Sequence, residues 1–239
     1  MAGETVRTHG ICIAIHPWSR TSHVVAWLTP AGRVTTIVKG AVRPKSAFLG
    51  QYDLNYTCEI VYYARAKGDL HALRECSPCE RRDSLRGDFR ALVLADYFRR
   101  LAGDLAPVGP ESEEWFAQLA GALDLLAGDA SLADAENPAG RTAALWLRRL
   151  LAYEMEILAL AGLSPELAAA GGDGSFHLRG ERSMPVSREV FACLTNPADE
   201  KNTKILLDAA RVIGVFYSFH LDCAGDVRRT VLRMISVNE

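Results

Sequence analysis

Over the first eighty residues, short apolar runs alternate with Gly and Pro punctuation. "VRTHGICIAIHP" closes at His16-Pro17, "SHVVAWLT" ends at the Pro30-Ala31-Gly32 turn, and "RVTTIVKG" follows. "YDLNYTCEIVYYA" places Tyr56, Cys58, Ile60 and Tyr62 on one face, with Thr57, Glu59, Val61 and Tyr63 on the other. "RAKGDLHALREC" turns at Lys67-Gly68-Asp69. β-branched and aromatic runs of this length, bounded by turn residues, predict strands. Five of them in so short a span predict a small barrel, which leaves no open sheet edge.

After Arg81 the period changes. Leu85, Phe89, Leu92, Ala95 and Phe98 recur at helical spacing, with Asp83 or Ser84 as the N-cap. "APVGPES" ends that helix, and Ser112 with Glu113 and Glu114 suits the start of the next. "RTAALWLRRLLAYEMEILALAG" predicts a long, mostly apolar helix stopped by Gly162. Residues 163–186 read as loops around one short strand, Ser175 to Leu178. A further helix starts near Ser187. "NTKILLDAARVIGVFYSFHLDC" is amphipathic through Ile205, Ala209, Val212, Phe216 and Phe219, and Asp226 caps a last helix. The fold expected is α+β: a small closed or partly open barrel over residues 1–80, then an α-helical domain over residues 81–239 that carries the cysteine-free loop region 163–186.

Composition leaves this picture intact. Of 239 residues, 49% are hydrophobic and 23% charged, ordinary values for a globular chain with a sizeable core. No apolar run is long enough to span a bilayer, and "MAGETVRTHG" has no apolar signal segment. The expectation is a cytoplasmic protein with no membrane partner and reduced cysteines.

Charge adds a polarity that the net value of −2 conceals. Residues 1–50 carry six Lys/Arg against one acid, whereas residues 104–140 carry eight acids and no Lys or Arg. A basic front end fits a partner that is an anion.

Catalysis is disfavoured. No nucleophile elbow, phosphate loop, zinc-protease helix or dinucleotide fingerprint occurs, so neither a catalytic residue nor a cofactor is expected. Cys76-Ser-Pro-Cys79 is a lone CxxC, short of the four ligands a zinc site needs, and structural thiols are the simplest reading. Paired arginines at Arg81-Arg82, Arg99-Arg100, Arg148-Arg149 and Arg228-Arg229 read as solvated faces or helix-end cations, with partner binding the sharper alternative.

"VKGAVRPKS" concentrates Lys39, Arg43 and Lys45 at a strand end and the loop beyond. Cationic loops on a small barrel with aromatic strands are a means of holding single-stranded nucleic acid: cations neutralise phosphates and exposed rings stack on bases. The opposing reading buries Trp18, Trp27, Tyr52, Tyr56, Tyr62 and Tyr63 in the barrel and leaves the cations idle.

Residues 16–52 resemble the N-terminal region of the RecO family, bacterial recombination mediators. The matching features are Thr21-Ser22, Thr29 with Gly32-Arg33, Lys39-Gly40-Ala41 with Arg43 and Ser46, and Leu49-Gly50-Gln51-Tyr52. "LADYFRRLAGDL", "LAYEMEILALAGLSPEL" and "YSFHLDCAGDVRR" are similar to later segments of that family. The resemblance implies an OB-fold and a helical domain without catalytic turnover. It implies binding of single- and double-stranded DNA, strand annealing, recognition of the acidic tail of single-strand-binding protein, and loading of RecA together with RecR. It also implies a cytoplasmic, nucleoid-associated location. On this chain it places DNA contacts at Arg20, Lys39, Arg43 and Lys45, with Arg33 and Lys67 as lesser ones, and tail recognition at Arg148 and Arg149. Arg20 stands where relatives usually carry Glu. Many relatives have a four-cysteine zinc module after the long helix; residues 163–186 hold no cysteine, so no metal is expected there. A scaffold whose barrel binds another protein, or an RNA-binding OB protein of another family, remains the alternative.

Overall fold

The structure is a computed structural model. It describes residues 4–65, 68–109, 111–131, 142–169, 176–179, 184–221 and 225–236. The chain forms two compact units: Met1–Asp83 with Phe98–Leu125, and Ser84–Tyr97 with Leu126–Glu239.

The first unit is built on a closed barrel. Its strands are β1 (Thr5–Ser19), β2 (Ser22–Thr29), β3 (Gly32–Val38), β4 (Thr57–Tyr63) and β5 (Leu70–Glu80), in the order β1-β2-β3-β5-β4 with β4 returning to β1. Neighbours are antiparallel except β3 and β5, which run parallel from Thr35 beside Leu70 to Ile37 beside Ala72. This is the small barrel the strand pattern predicts, closed and OB-like as the RecO resemblance implies.

One strand closes it from both sides. Thr5–Ile11 of β1 pair with β4, and Ile11–Ser19 pair with β2. The bend falls where the register skips Ile13. A bulge of this kind bends the strand and raises its twist. Gly10 lies just before it, and a Cβ there would sit 3.2 Å from the Trp27 Cβ. Trp27 fills the barrel with Cys12, Val25, Val38, Cys58 and Ile60. Its buried indole N–H donates to the Thr36 hydroxyl at 2.9 Å, so the ring's one polar group is satisfied.

β5 continues past Cys76, where the sequence suggests a stop. Pro78 is tolerated because it faces Cys58 next to a register shift between β4 and β5. Cys76 and Cys79 therefore lie in one extended strand. Cys76 is buried and Cys79 exposed, so the two thiols point to opposite sides.

After the barrel, α1 (Phe89–Leu105) and α2 (Ser112–Ser131) each run through both units. The cap of α1 is neither Asp83 nor Ser84, which belong to a 3-10 turn, Asp83–Gly87. Asp88 takes that role: its Oδ1 accepts from the N–H groups of Arg90 (2.8 Å) and Ala91 (3.0 Å). The buried stripe shifts with it. Ala91, Leu94, Ala95 and Phe98 are buried, while Phe89 and Leu92, expected in the core, are exposed.

The second unit contains α3 (Ala143–Leu160), α4 (Arg188–Thr195), α5 (Thr203–His220) and α6 (Gly225–Ser236). Gly162 ends α3 as expected: at φ +69° it lets Leu163 N–H reach the Leu158 carbonyl at 2.8 Å. Ser187 caps α4, its hydroxyl accepting from Val190 N–H. The side chain of Asp226, read as a cap, lies outside the described residues. Residues 163–186 hold more order than one strand. β6 (Glu166–Ala169), β7 (Phe176–Arg179) and β8 (Met184–Val186) form an antiparallel sheet. Glu166–Ala169, expected as loop, pairs with β7, and Phe176 of β7 packs on Phe191 of α4 with ring centroids 4.6 Å apart.

Paired arginines depart most from the sequence reading. Arg82, Arg99 and Arg228 are buried, while their neighbours Arg81, Arg100 and Arg229 are exposed. In α1 and α6 adjacent residues point about 100° apart, so one of two takes the inner face, whereas Arg82 lies between β5 and the 3-10 turn at φ +53°. Arg82 donates to the Asn55 carbonyl (2.8 Å), Thr57 Oγ1 (2.9 Å) and Asp124 Oδ1 (2.7 Å). Arg99 donates to the Ile13 carbonyl.

Arg228 is the deepest of them. Its Nε and Nη2 donate to the two oxygens of Glu154 at 2.6 and 2.8 Å, and Nη2 also reaches the Ala210 carbonyl at 2.8 Å. Tyr97 donates to Glu154 Oε1 at 2.8 Å, and Tyr217 to the Glu154 carbonyl at 3.1 Å. Burial and the nearby carboxylate raise both phenols well above their ordinary pKa. Burial opposes the charge on Arg228, but Glu154 outweighs it and holds the guanidinium protonated. α3, α5 and α6 are thus joined through one buried, hydrogen-bonded ion pair.

Candidate nucleic-acid interface

Two loops meet at one end of the barrel: the β1–β2 turn and the exit from β3. Val42 N–H donates to the Thr21 carbonyl at 3.4 Å, and Gly40 N–H to Ser22 Oγ at 3.3 Å. Gly40 adopts φ +67°, which turns the chain out of β3 at no side-chain cost. A tight turn follows, with Arg43 N–H on the Gly40 carbonyl at 3.1 Å and Ser46 N–H on the Arg43 carbonyl at 2.9 Å.

Between these loops lies a shallow groove of about 510 Å³. It is lined by Trp18, Ser19, Thr21, Ser22, Ile37, Lys39, Gly40 and Arg43. Two cations, three hydroxyls and one indole converge there, and among the described residues no carboxylate lines it. Such a surface attracts anions, and its hydroxyls and backbone can hydrogen-bond phosphate oxygens.

The six barrel cations named from sequence do not all gather here. Lys39 and Arg43 line the groove. Arg20 is exposed at the tip of the adjoining turn, between groove residues Ser19 and Thr21, and Lys45 is exposed two residues past Arg43. Arg33 is at the far end of β3. It donates to the Gly103 carbonyl at 2.6 Å and lines a separate cleft of about 730 Å³ with His16, Thr35, His71 and Arg100. Lys67 lies outside the described residues. In the second unit Arg149 grips Asp129 at 2.7 and 3.1 Å, and Arg148 donates to the Glu200 carbonyl at 3.0 Å.

The rings divide as well. Trp27, Tyr56 and Tyr62 are core, and Tyr52 is half-buried with its hydroxyl 2.8 Å from His23 Nδ1. Trp18 is 62% exposed and Tyr63 42% exposed. From sequence Trp18 has two readings, a ring that stacks on bases or one that fills the barrel, and it stands in solvent.

Residues 1–82, the barrel and the first two residues after it, match the family model described as Recombination protein O N terminal. This N-terminal segment is similar to the RecO family. Two curated proteins extend the likeness beyond the barrel. A DNA repair protein RecO of Roseiflexus sp. (strain RS-1) is 26% identical over 229 residues, 95% of this chain and 75% of the relative. A DNA repair protein RecO of Alkaliphilus metalliredigens (strain QYMF) is 25% identical over 167 residues, 69% of this chain and 61% of the relative. Lys39, Gly40 and Arg43 of the RecO-like motif line the groove with the β1–β2 turn.

Proposed function

We propose that the chain acts in DNA repair and recombination as a non-catalytic DNA-binding protein, with the groove at Lys39 and Arg43 as its DNA contact. The observation that carries this is the junction of two loops into a cationic, hydroxyl-lined groove free of carboxylates among the described residues. Arg20 and Lys45 extend the positive rim from their exposed turns. Such a surface holds a strand by charge neutralisation and leaves its bases accessible, which is what annealing of two strands requires.

The reading is tested by Lys39→Glu together with Arg43→Glu. Binding of a labelled oligonucleotide should weaken at least tenfold. On a single strand the salt slope should fall by about 0.7 for each phosphate no longer neutralised. An unaltered slope and affinity in the folded variant, checked by circular dichroism, would remove DNA from this face and favour a scaffold role.

For its place in the pathway, the reading we propose is supported by the likeness to RecO proteins. The chain anneals strands, binds the acidic tail of single-strand-binding protein, and works with RecR to load RecA at gaps. Arg148 and Arg149 are the proposed tail contacts. An arriving carboxylate would compete with Asp129 for Arg149. Annealing of strands coated with single-strand-binding protein should depend on that protein's C-terminal tail. Equal annealing with the tail deleted would sink the partner assignment.

A further inference from the structure

We infer that Trp18 is the base-stacking residue of the groove, and that it makes the site prefer an unpaired nucleobase of single-stranded DNA over a duplex. The inference rests on the DNA-binding reading of the groove and adds to it the strand form recognised.

The β1–β2 ladder sets the ring apart. Pairing passes from Pro17 opposite His23 to Ser19 opposite Ser22, so Trp18 has no residue across from it. It is the extra residue of a bulge, the device that re-aims a side chain out of a sheet. Burial shows where it goes: 62% of Trp18 is in solvent, against 0% for Trp27 nine residues on in the same barrel. Trp27 already fills the core and has its indole N–H satisfied by Thr36. The fold therefore gains little from Trp18, and leaving a large ring in water forgoes burial that other tryptophans obtain.

Its surroundings identify the partner. A protein-docking patch would surround the ring with apolar neighbours. Here the other lining residues are hydroxyls, two cations and a glycine, with Ile37 as the one aliphatic. An aromatic plane flanked by Lys and Arg matches a nucleotide, whose base offers a π-face and whose phosphate offers charge. In a duplex both faces of an internal base are covered by its neighbours, so only a single strand or a frayed end can reach the ring. The cations serve either form, because phosphates are exposed in both.

The test uses the full chain with Trp18→Ala and Trp18→Phe, titrated with a labelled oligothymidylate and a labelled blunt duplex at matched salt. Trp18→Ala should weaken single-strand binding about tenfold or more. Duplex affinity should change less than about twofold, and the single-strand salt slope should hold because no charge is removed. Trp18→Phe should recover most of the single-strand affinity. Equal losses on both DNA forms, or none on the single strand, would overturn the inference. Lys39→Glu with Arg43→Glu separates the two levels. If that variant loses both DNA forms while Trp18→Ala is silent, the DNA groove stands and the stacking residue does not. If neither change matters, both readings fall.

Discussion

Replacing Arg228 with methionine should destabilise the helical unit by about 3–5 kcal/mol, the range for breaking a buried ion pair by removing one partner. The cost is not the loss of attraction alone. Glu154 is fully buried and takes both its guanidinium bonds from Arg228. Methionine fills much of the volume but leaves that buried carboxylate with the Tyr97 hydroxyl in place of a cation. The Ala210 carbonyl also loses its link to Arg228. Arg228→Met combined with Glu154→Leu should recover much of the loss, because it removes the stranded charge as well. Urea melts of the single and double variants read both quantities. A double variant no better than the single would show that the cost lies in packing, not in the uncompensated carboxylate.

Gly214→Ala should lower stability by about 2–4 kcal/mol, most of the cost of losing the same pair. Helix propensity taken alone gives the opposite sign. Alanine inside a helix is favoured over glycine by about 1 kcal/mol. Yet a methyl on Gly214 of α5 would overlap Arg228 Nη1 and lie 3.3 Å from its Cζ. The guanidinium cannot withdraw without releasing Glu154. The conflict is also its own control, since Gly214→Ala made in the Arg228→Met background should regain the favourable sign, about 1 kcal/mol. A Gly214→Ala protein that melts at or above the parent temperature would refute the close approach.

The barrel was legible because its signals are local. "SHVVAWLT" becomes β2 with matching ends, Ser22 and Thr29, since the Pro30-Ala31-Gly32 turn and the apolar run agree. Lys39, Arg43 and Lys45 are legible as an exposed cluster because Gly40 turns the chain out of β3 just after Lys39 and Pro44 keeps the following run from continuing a strand. Trp18 was not. In a regular strand its position would alternate with its neighbours, and the bulge that frees it depends on how β2 pairs. Arg228 and Glu154 are 74 residues apart, and nothing in either segment names the other. Arginine pairs read as surface features because the sequence gives no inner face; topology does. Residues 163–186 were read as mostly loop because strands of three or four residues give too few alternations to register.

The division of β1 between two partners has a consequence for synthesis. A ribosome releases β1, β2 and β3 first, and these pair as consecutive neighbours. Thr5–Ile11 must then wait for Thr57–Tyr63, and β3 must wait for Leu70 before its parallel partner exists. Until β5, Leu70–Glu80, has emerged, the nascent sheet carries two open edges. Open edges of this kind template pairing between chains. Newly made protein is thus most exposed to self-association in the interval before ring closure, and crowding of polysomes or a slow stretch of translation there lowers the yield of native barrel without altering its final stability.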